Sequence, residues 1–263
     1  MPGREVPKEF DQISAVYDAT RDPLDGPTLD AIVDRLKAQT AATLLEVGVG
    51  TGRIAAPLGK RGLRVTGVDA SRGMLGRARE KGIARLVRGS AYALPFRDAA
   101  FDAALFVHVL HLLEDPRAAL REACRVTRTG AVALVRPSRG ERRDPVEGSE
   151  DDPRRIVYDY LRKEGYPMPT GTGGPRAREA QLLREIPPDR LEVVSDREVT
   201  ERVARRIDML EQRASRHVLH VPPEVLRRAA AEARTRVGNR TVTYRRVEAL
   251  ATWTHVPPAP VTA

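Results

Sequence analysis

Cysteine is nearly absent. Cys124 is the only one in 263 residues. A single thiol excludes an internal disulfide framework and a cysteine-rich metal centre. Aromatic residues make up only 4% of the chain, which leaves little to stack on exposed bases. Lysine is scarce as well, standing only at 8, 37, 60, 81 and 163. No apolar run reaches membrane-spanning length, and no signal-peptide pattern opens the chain. No internal repeat is visible. These absences lead to the expectation of a soluble cytoplasmic protein with no membrane partner. At this length one α/β domain with insertions is the default.

Positive charge is abundant. Lys+Arg total 45 against Asp+Glu 36, a formal net charge of +9, and arginine supplies most of it. A basic face for nucleic acid is the functional reading. Arginine excess with many alanines is also what a compositional bias gives. The positives are scattered among acids, and no arginine run exceeds two. Cys124 falls in a segment with amphipathic helical spacing, where a buried structural thiol is expected rather than a reactive one.

The most informative stretch is 44–58, LLEVGVGTGRIAAPL. A continuous apolar run, 43–47, suits a central parallel strand covered on both faces. Gly48, Gly50 and Gly52 then let the backbone turn sharply and approach a ligand with no Cβ in the way. A helix is expected from Arg53, and its free N–H groups would seat a carboxylate or phosphate. A dinucleotide fingerprint, G-x-G-x-x-G, is excluded: counting from Gly48, its third glycine is Arg53. The bland reading is a tight strand-to-helix turn that binds nothing.

E-x-G-x-G-x-G, starting at Glu46, resembles motif I of the class I S-adenosylmethionine (SAM)-dependent methyltransferases. The group it is most similar to comprises the methyltransferases of ubiquinone and menaquinone biosynthesis. The resemblance covers about residues 10–135, half the chain. It implies that the glycine turn lies against the methionine and ribose part of SAM, with S-adenosylhomocysteine as product. Asp69 closes a second expected strand, 63–69, about 20 residues beyond the first glycine, where such folds place an acid for ribose hydroxyls; capping the next helix is the competing role. In VDASxxML, Met74 resembles the family residue beside the adenine, with Ala70 preceding it. After a short third strand, 85–87, GSAYALPF resembles the family's G-D-A-x-x-L-P-F loop. Here Ser90 replaces the usual Asp, so recognition of the adenine is left to Ser90 through water or to the backbone of Ala91.

The N-terminal segment 10–21, FDQISAVYDATR, places Phe10, Ile13, Val16 and Tyr17 at helical spacing. It resembles the family's cap, which implies that Tyr17 and Arg21 close over the methionine end of SAM. Plain packing is the alternative. Asp-Pro and Gly-Pro then break the chain, and 28–38 reads as a helix with Leu29, Ile32, Val33 and Leu36 inward. A fourth strand, 101–107, ends at Val107 and is followed by His108. His111 resembles the first His of the family's V-L-H-H-V-x-D segment. Both histidines are candidate bases, and both have a structural role as the competing reading. No metal is expected, because no further His or Cys stands at ligand spacing.

The rest reads by pattern alone. Helices are expected at 116–126, 153–164, 176–185 and 223–237. Strands are expected at 131–135, 191–199 and 241–254. Val203, Ile207, Leu210, Ala214 and Val218 form one helical stripe. Long loops are expected at 136–152 and 165–175, and a disordered tail from 257. The fold expected is a Rossmann-like α/β sheet of seven mostly parallel strands with an antiparallel last strand. Helices cover both faces, with a helical cap. One methyltransferase domain would fill 1–263, with its cofactor core at 10–135 and cap insertions at 136–190 and 204–237. The cofactor set implied is Tyr17, Arg21, Glu46, Gly48, Gly50, Gly52, Arg53, Asp69, Ala70, Met74, Ser90, Ala91, Val107 and His108. The function implied is methyl transfer from SAM to a small-molecule acceptor. A nucleic-acid or protein methyltransferase is the alternative, and a SAM-binding protein without transferase activity is a third reading.

Overall fold

The structure is a computed structural model, and it describes residues 6–21, 23–137, 145–147, 149–169, 175–213 and 215–257. The expectations for Ala214 and for the tail beyond 257 lie outside these residues, as do parts of the two long loops. The chain begins with α1 (Val6–Ile13) and α2 (Gly26–Ala38). β1 (Thr43–Val47), α3 (Ala55–Lys60), β2 (Arg64–Asp69), α4 (Arg72–Glu80) and β3 (Leu86–Arg88) follow. Next come β4 (Ala103–Val107), α5 (Pro116–Arg125) and β5 (Ala131–Val135). The remainder is α6 (Pro153–Lys163), α7 (Pro175–Glu185), β6 (Arg190–Arg202), α8 (Arg205–Glu211), α9 (Pro223–Val237) and β7 (Thr241–Trp253).

The seven strands form one sheet in the order β3-β2-β1-β4-β5-β7-β6. β1 to β5 are parallel, and β7 runs antiparallel to both β5 and β6. The seven-stranded, mostly parallel sheet expected from the sequence is therefore present. The order reverses between β1 and β4, because the chain runs outward through β2 and β3 and then returns to the other side of β1. In open α/β sheets the crevice at such a reversal, beyond the carboxyl ends of the strands, is where ligands bind.

Strand periodicity sorts the core onto two faces. Leu45, Val47, Ala104 and Phe106 pack with Leu120 and Ala123 of α5 and with Leu182 and Ile186 of α7. Leu44, Ala103 and Leu105 pack on the other face with Leu29, Ile32, Val33 and Leu36 of α2. Each such fully buried aliphatic side chain contributes about 1.5–3 kcal/mol. Asp-Pro pairs start two of the helices: Asp115 accepts from Ala118 N–H at 2.9 Å ahead of α5, and Asp152 from Arg154 N–H at 3.0 Å ahead of α6. The side-chain oxygen satisfies a donor that the helix leaves orphaned, and the proline lacks the donor altogether.

β6 and β7 are each 13 residues long and pair along their whole length, with a bulge between Val193 and Ser195. Only Ala249–Trp253 of β7 pairs with β5, so the far half of this ribbon projects past the sheet. There it carries a second core. Ile156, Val157 and Leu161 of α6 pack with Ile207 and Leu210 of α8, Leu226, Ala229, Ala230 and Ala233 of α9, and Val242 and Tyr244 of β7. The alanines of α9 give α6 and α8 room to approach closely.

Three local expectations differ from what is found. The helix expected over 10–21 ends at Ile13. Ser14 Oγ donates to the Asp11 carbonyl at 2.9 Å, a local bond that competes with helix propagation, and the chain turns so that Asp18 reaches Thr51. The helix expected from Arg53 starts at Ala55, because Gly52 holds φ at +74° and the turn runs two residues further. The single stripe expected from Val203 to Val218 divides. α8 ends at Glu211, Arg213 has φ +56°, and Val218 is buried from a separate 3-10 turn at Arg216–Val218.

Candidate functional site

The three glycines after β1 all have positive φ: +71° at Gly48, +55° at Gly50 and +74° at Gly52. What surrounds them differs. A Cβ on Gly48 would sit 2.5 Å from Val109 Cγ2, in the loop after β4, and a Cβ on Gly52 would strike the Ile83 side chain. These two are glycine because the protein packs against them. A Cβ on Gly50 would meet nothing closer than the Gly48 carbonyl at 4.0 Å. Gly50 therefore presents a left-handed backbone to open space, at the point where the loops after β1 and β4 meet.

Acids surround this opening. Asp69 Oδ2 accepts from Gly50 N–H and Oδ1 from Ser71 N–H, both at 2.8 Å. The carboxylate thus ties the end of β2 to the glycine turn. Each oxygen keeps a further lone pair for an outside donor. Burial pushes the Asp69 carboxyl upward, against the Ser71 and Gly50 N–H groups. Ser71 also caps α4 through Met74 N–H at 3.1 Å, so the capping role weighed for Asp69 falls to its neighbour. Glu46 is 2% exposed, and one of its carboxylate oxygens has no hydrogen-bond partner. Burial pushes its pKa up to about 8, with Arg53 opposing and Asp69 adding to the rise. A buried acid without a full set of partners is costly, and a bound cation or donor would relieve that cost.

Of the other positions expected to border a cofactor, Met74 is buried, Ala70 and Ala91 are half-buried, and Ser90 is exposed. Ser90 Oγ accepts from Tyr92 N–H at 3.2 Å, within its own loop. Val107 is buried at the end of β4. The N-terminal segment is fastened to the same opening. Asp11 Oδ1 accepts from Ser71 Oγ and from Gly73 N–H, both at 2.6 Å. Thr51 Oγ donates to Asp18 Oδ1 at 2.5 Å, and Lys81 bridges Asp18 and the Thr51 carbonyl. Burial raises the Asp18 carboxyl, but the bonds from Lys81 and Thr51 hold it below the ordinary value. The Arg21 guanidinium lies 4.9 Å from the centroid of the Tyr17 ring.

On the far side of the crevice, His108 follows β4 with φ +55°. Burial drives its pKa well below the ordinary value, and Arg136, His111, Arg53 and Arg246 push the same way. The uncharged ring of His108 is therefore favoured. His111 lies in a 3-10 turn, Leu110–Leu112. Its Nδ1 is 3.1 Å from Glu179 Oε1, on α7. Glu179 Oε2 accepts from Arg136 N–H at 2.9 Å, and the Arg136 guanidinium reaches Glu248 at 3.3 Å. Both acids are buried.

Sequence reasoning missed Glu179, Arg136, Glu248 and the Asp18–Thr51–Lys81 group. Glu248 carried a faint signal, as a lone acid entering the apolar run of β7. Glu179 carried none, since it sits among alternating charges on a helix. Among the described residues, no group of three or more His, Cys, Asp or Glu is placed to hold a metal. No described helix is long and apolar enough to cross a membrane.

Residues 45–135, from β1 to the end of β5, match the family described as "Methyltransferase domain". The demethylmenaquinone methyltransferase of Renibacterium salmoninarum is 37% identical over 164 residues, covering 60% of this chain and 65% of that protein. The Corynebacterium kroppenstedtii protein of the same name is 38% identical over 136 residues, covering 50% and 59%. The chain thus spans less than two thirds of the length of these relatives. Among solved structures, an Anabaena variabilis protein described as a methyltransferase from an antibiotic biosynthesis pathway superposes with TM-score 0.54 at 17% identity, covering 89% of this chain and 99% of that one. The [4+2]-cyclase SpnF gives TM-score 0.51 at 16% identity, covering 94% and 96%. These two likenesses establish the fold alone. Residues 45–135 are thus similar to a methyltransferase domain.

Proposed function

We propose that this chain transfers the methyl group of SAM to a small aromatic acceptor, a hydroquinone of the kind that two-electron reduction of demethylmenaquinone gives. The observation that carries the cofactor half is the cradle at Gly50. It combines a left-handed glycine facing open space, a buried acid at Glu46 with an unpartnered oxygen, and Asp69 with spare lone pairs. In this reading Asp69 takes the ribose hydroxyls, while Glu46, Gly48, Gly50, Gly52 and Arg53 border the ribose and methionine part. Ala70, Met74, Ser90 and Ala91 border the adenine, and Val107 and His108 the transferable end. Tyr17 and Arg21 belong to a lid over the methionine end.

When bound, SAM supplies a methyl group on a sulfonium that needs no further activation. The protein's part is to hold the acceptor in line, exclude water and manage a proton. The N-terminal segment fastened at Asp18 and Thr51 serves water exclusion. The names of the relatives support a quinone-type acceptor. A quinone ring carbon is electron-poor, whereas the reduced ring is a carbon nucleophile, most of all once a hydroxyl proton has left. Many arginines are paired with acids, among them Arg240 with Asp151, Arg234 with Asp208 and Arg245 with Asp196. Such pairing neutralises these arginines locally, so they offer no free cation to a nucleic-acid backbone. In this reading the cofactor core is 10–135, the insertions 136–190 and 204–237 close the acceptor side, and the protein works in the cytoplasm.

The test is incubation with methyl-labelled SAM and a short-chain 2-prenyl-1,4-naphthohydroquinone under reducing conditions. The expected product carries one added methyl on the ring. Binding of SAM with no transfer to this acceptor would overturn the acceptor assignment.

A further inference from the structure

The His111–Glu179 pair lies outside the cofactor positions proposed above, and both residues are held by several contacts. Glu179 is 3% exposed, comes from α7, and engages both of its oxygens. Oε2 is committed to the Arg136 N–H, which only donates, so the carboxylate is held in one orientation. Oε1 then faces His111 Nδ1 at 3.1 Å. An ionised carboxylate only accepts, so the proton of a neutral His111 ring stands on Nδ1. The carbonyl of His111 is held too, by Arg178 Nη1 at 3.3 Å. α7 thus grips the 3-10 turn through both its side chain and its backbone. Its Leu182 and Ile186 anchor it on the sheet core.

We infer, resting on the methyl-transfer reading above, that Glu179 is a positioning residue: it fixes His111 as the Nδ1–H tautomer and leaves Nε2 as the proton acceptor for a substrate hydroxyl. The acceptor O–H bond breaks with its electron pair left on oxygen. An N–H bond forms at Nε2, and the resulting imidazolium faces the Glu179 carboxylate. The proton is later released to water. A carboxylate behind an imidazole both orients the ring and favours its protonated form. The groups that face His111 are Glu179 and Arg178 from α7, His108 from the end of β4, and Arg136 from the end of β5, itself paired to Glu248 of β7. Burial and cationic neighbours disfavour the charged form of His108. Among the described residues, only His111 of the two has a carboxylate to receive an imidazolium.

The test begins without turnover. Long-range proton–nitrogen correlation on the full chain with labelled histidine reads the tautomer of each of the 5 histidines, and loss of one set in His111→Gln assigns the signal. Wild type is expected as the Nδ1–H form. In Glu179→Gln the amide oxygen still accepts from Arg136 N–H, so its NH2 faces Nδ1. The ring should then switch to the Nε2–H form. A wild-type ring in the Nε2–H form, or a variant with unchanged tautomer, would overturn the inference. In the methyl-transfer assay Glu179→Gln should lower kcat by about 10–100-fold with the KM for SAM unchanged. Unchanged kcat in a variant whose tautomer has switched would overturn the role of His111. No transfer by the wild type, with the tautomer as expected, would refute the acceptor reading and leave the pair standing.

Discussion

The two glycines Gly48 and Gly50 should fail in different ways when each is given a methyl group. Both have positive φ, so alanine at either pays about 1–2 kcal/mol for the left-handed backbone. At Gly48 the new Cβ also lies 2.5 Å from Val109 Cγ2 and 2.9 Å from Cγ1. Overpacking of this kind costs about 1–3 kcal/mol, giving about 2–5 kcal/mol in total. For a chain of this size about 2–4 °C of Tm is lost per kcal/mol. Gly50→Ala should therefore melt about 2–8 °C low, and Gly48→Ala about 4–20 °C low. The clash predicts coupling, so Gly48→Ala should cost at least ~1 kcal/mol less in a Val109→Ala background than in wild type. Binding should follow the opposite order to stability. The Gly50 methyl projects into the open cradle, so Gly50→Ala should weaken S-adenosylhomocysteine by tenfold or more while the fold persists. Calorimetry and thermal melts on wild type, the three single variants and the Gly48→Ala/Val109→Ala double variant read both effects. Wild-type affinity in Gly50→Ala, or no coupling between positions 48 and 109, would refute the assignment of one glycine to the ligand and the other to packing.

Two further outcomes follow from the hydrogen bonds. Asp102 accepts from the backbone N–H and hydroxyl of Thr43 and from Ala42 N–H, which together hold its carboxyl far below the ordinary value. A depressed folded pKa gives stability that is full above the unfolded value of about 3.9 and is lost as pH falls through the folded value. Asp102→Asn should therefore lose stability at neutral pH and show a shallower decline below pH 4; acid melts of equal steepness for both proteins would count against the clamp. Asp18→Ala removes the tie to Thr51 and Lys81. Limited proteolysis should then cut the 10–27 segment faster than in wild type, with S-adenosylhomocysteine protecting it in wild type; equal cleavage with and without saturating cofactor would rule out the lid.

The parts of the molecule that were legible in the sequence are those fixed by short-range pattern. LLEV followed by alternate glycines placed β1 and its turn, and VTGVD placed β2 with Asp69 at its end. The apolar run of β5 and the alternation of β7 were equally plain. Local competition was harder to see. Nothing in FDQISAVYDATR shows that a Ser14 back-bond and a reach from Asp18 to Thr51 outweigh its helical spacing. The acceptor side was least legible, because it is assembled from far apart. Glu179 lies 68 residues from His111, and only the packing of α7 on the sheet brings them together. Tertiary carboxylate–histidine pairs leave no periodic trace, whereas a glycine turn is written in consecutive residues.

The claim at the centre of this account is that the opening between Glu46, Gly50 and Asp69 is a SAM pocket. Its most direct test is calorimetric titration of the full chain with S-adenosylhomocysteine, with NAD as the comparison and Asp69→Asn as the variant. The account predicts one molecule of S-adenosylhomocysteine bound per chain, no heat from NAD, and a loss of about 1–3 kcal/mol in the variant, the cost of removing charge-assisted hydrogen bonds to the ribose. Absence of S-adenosylhomocysteine binding, or the same affinity in Asp69→Asn as in wild type, would contradict it.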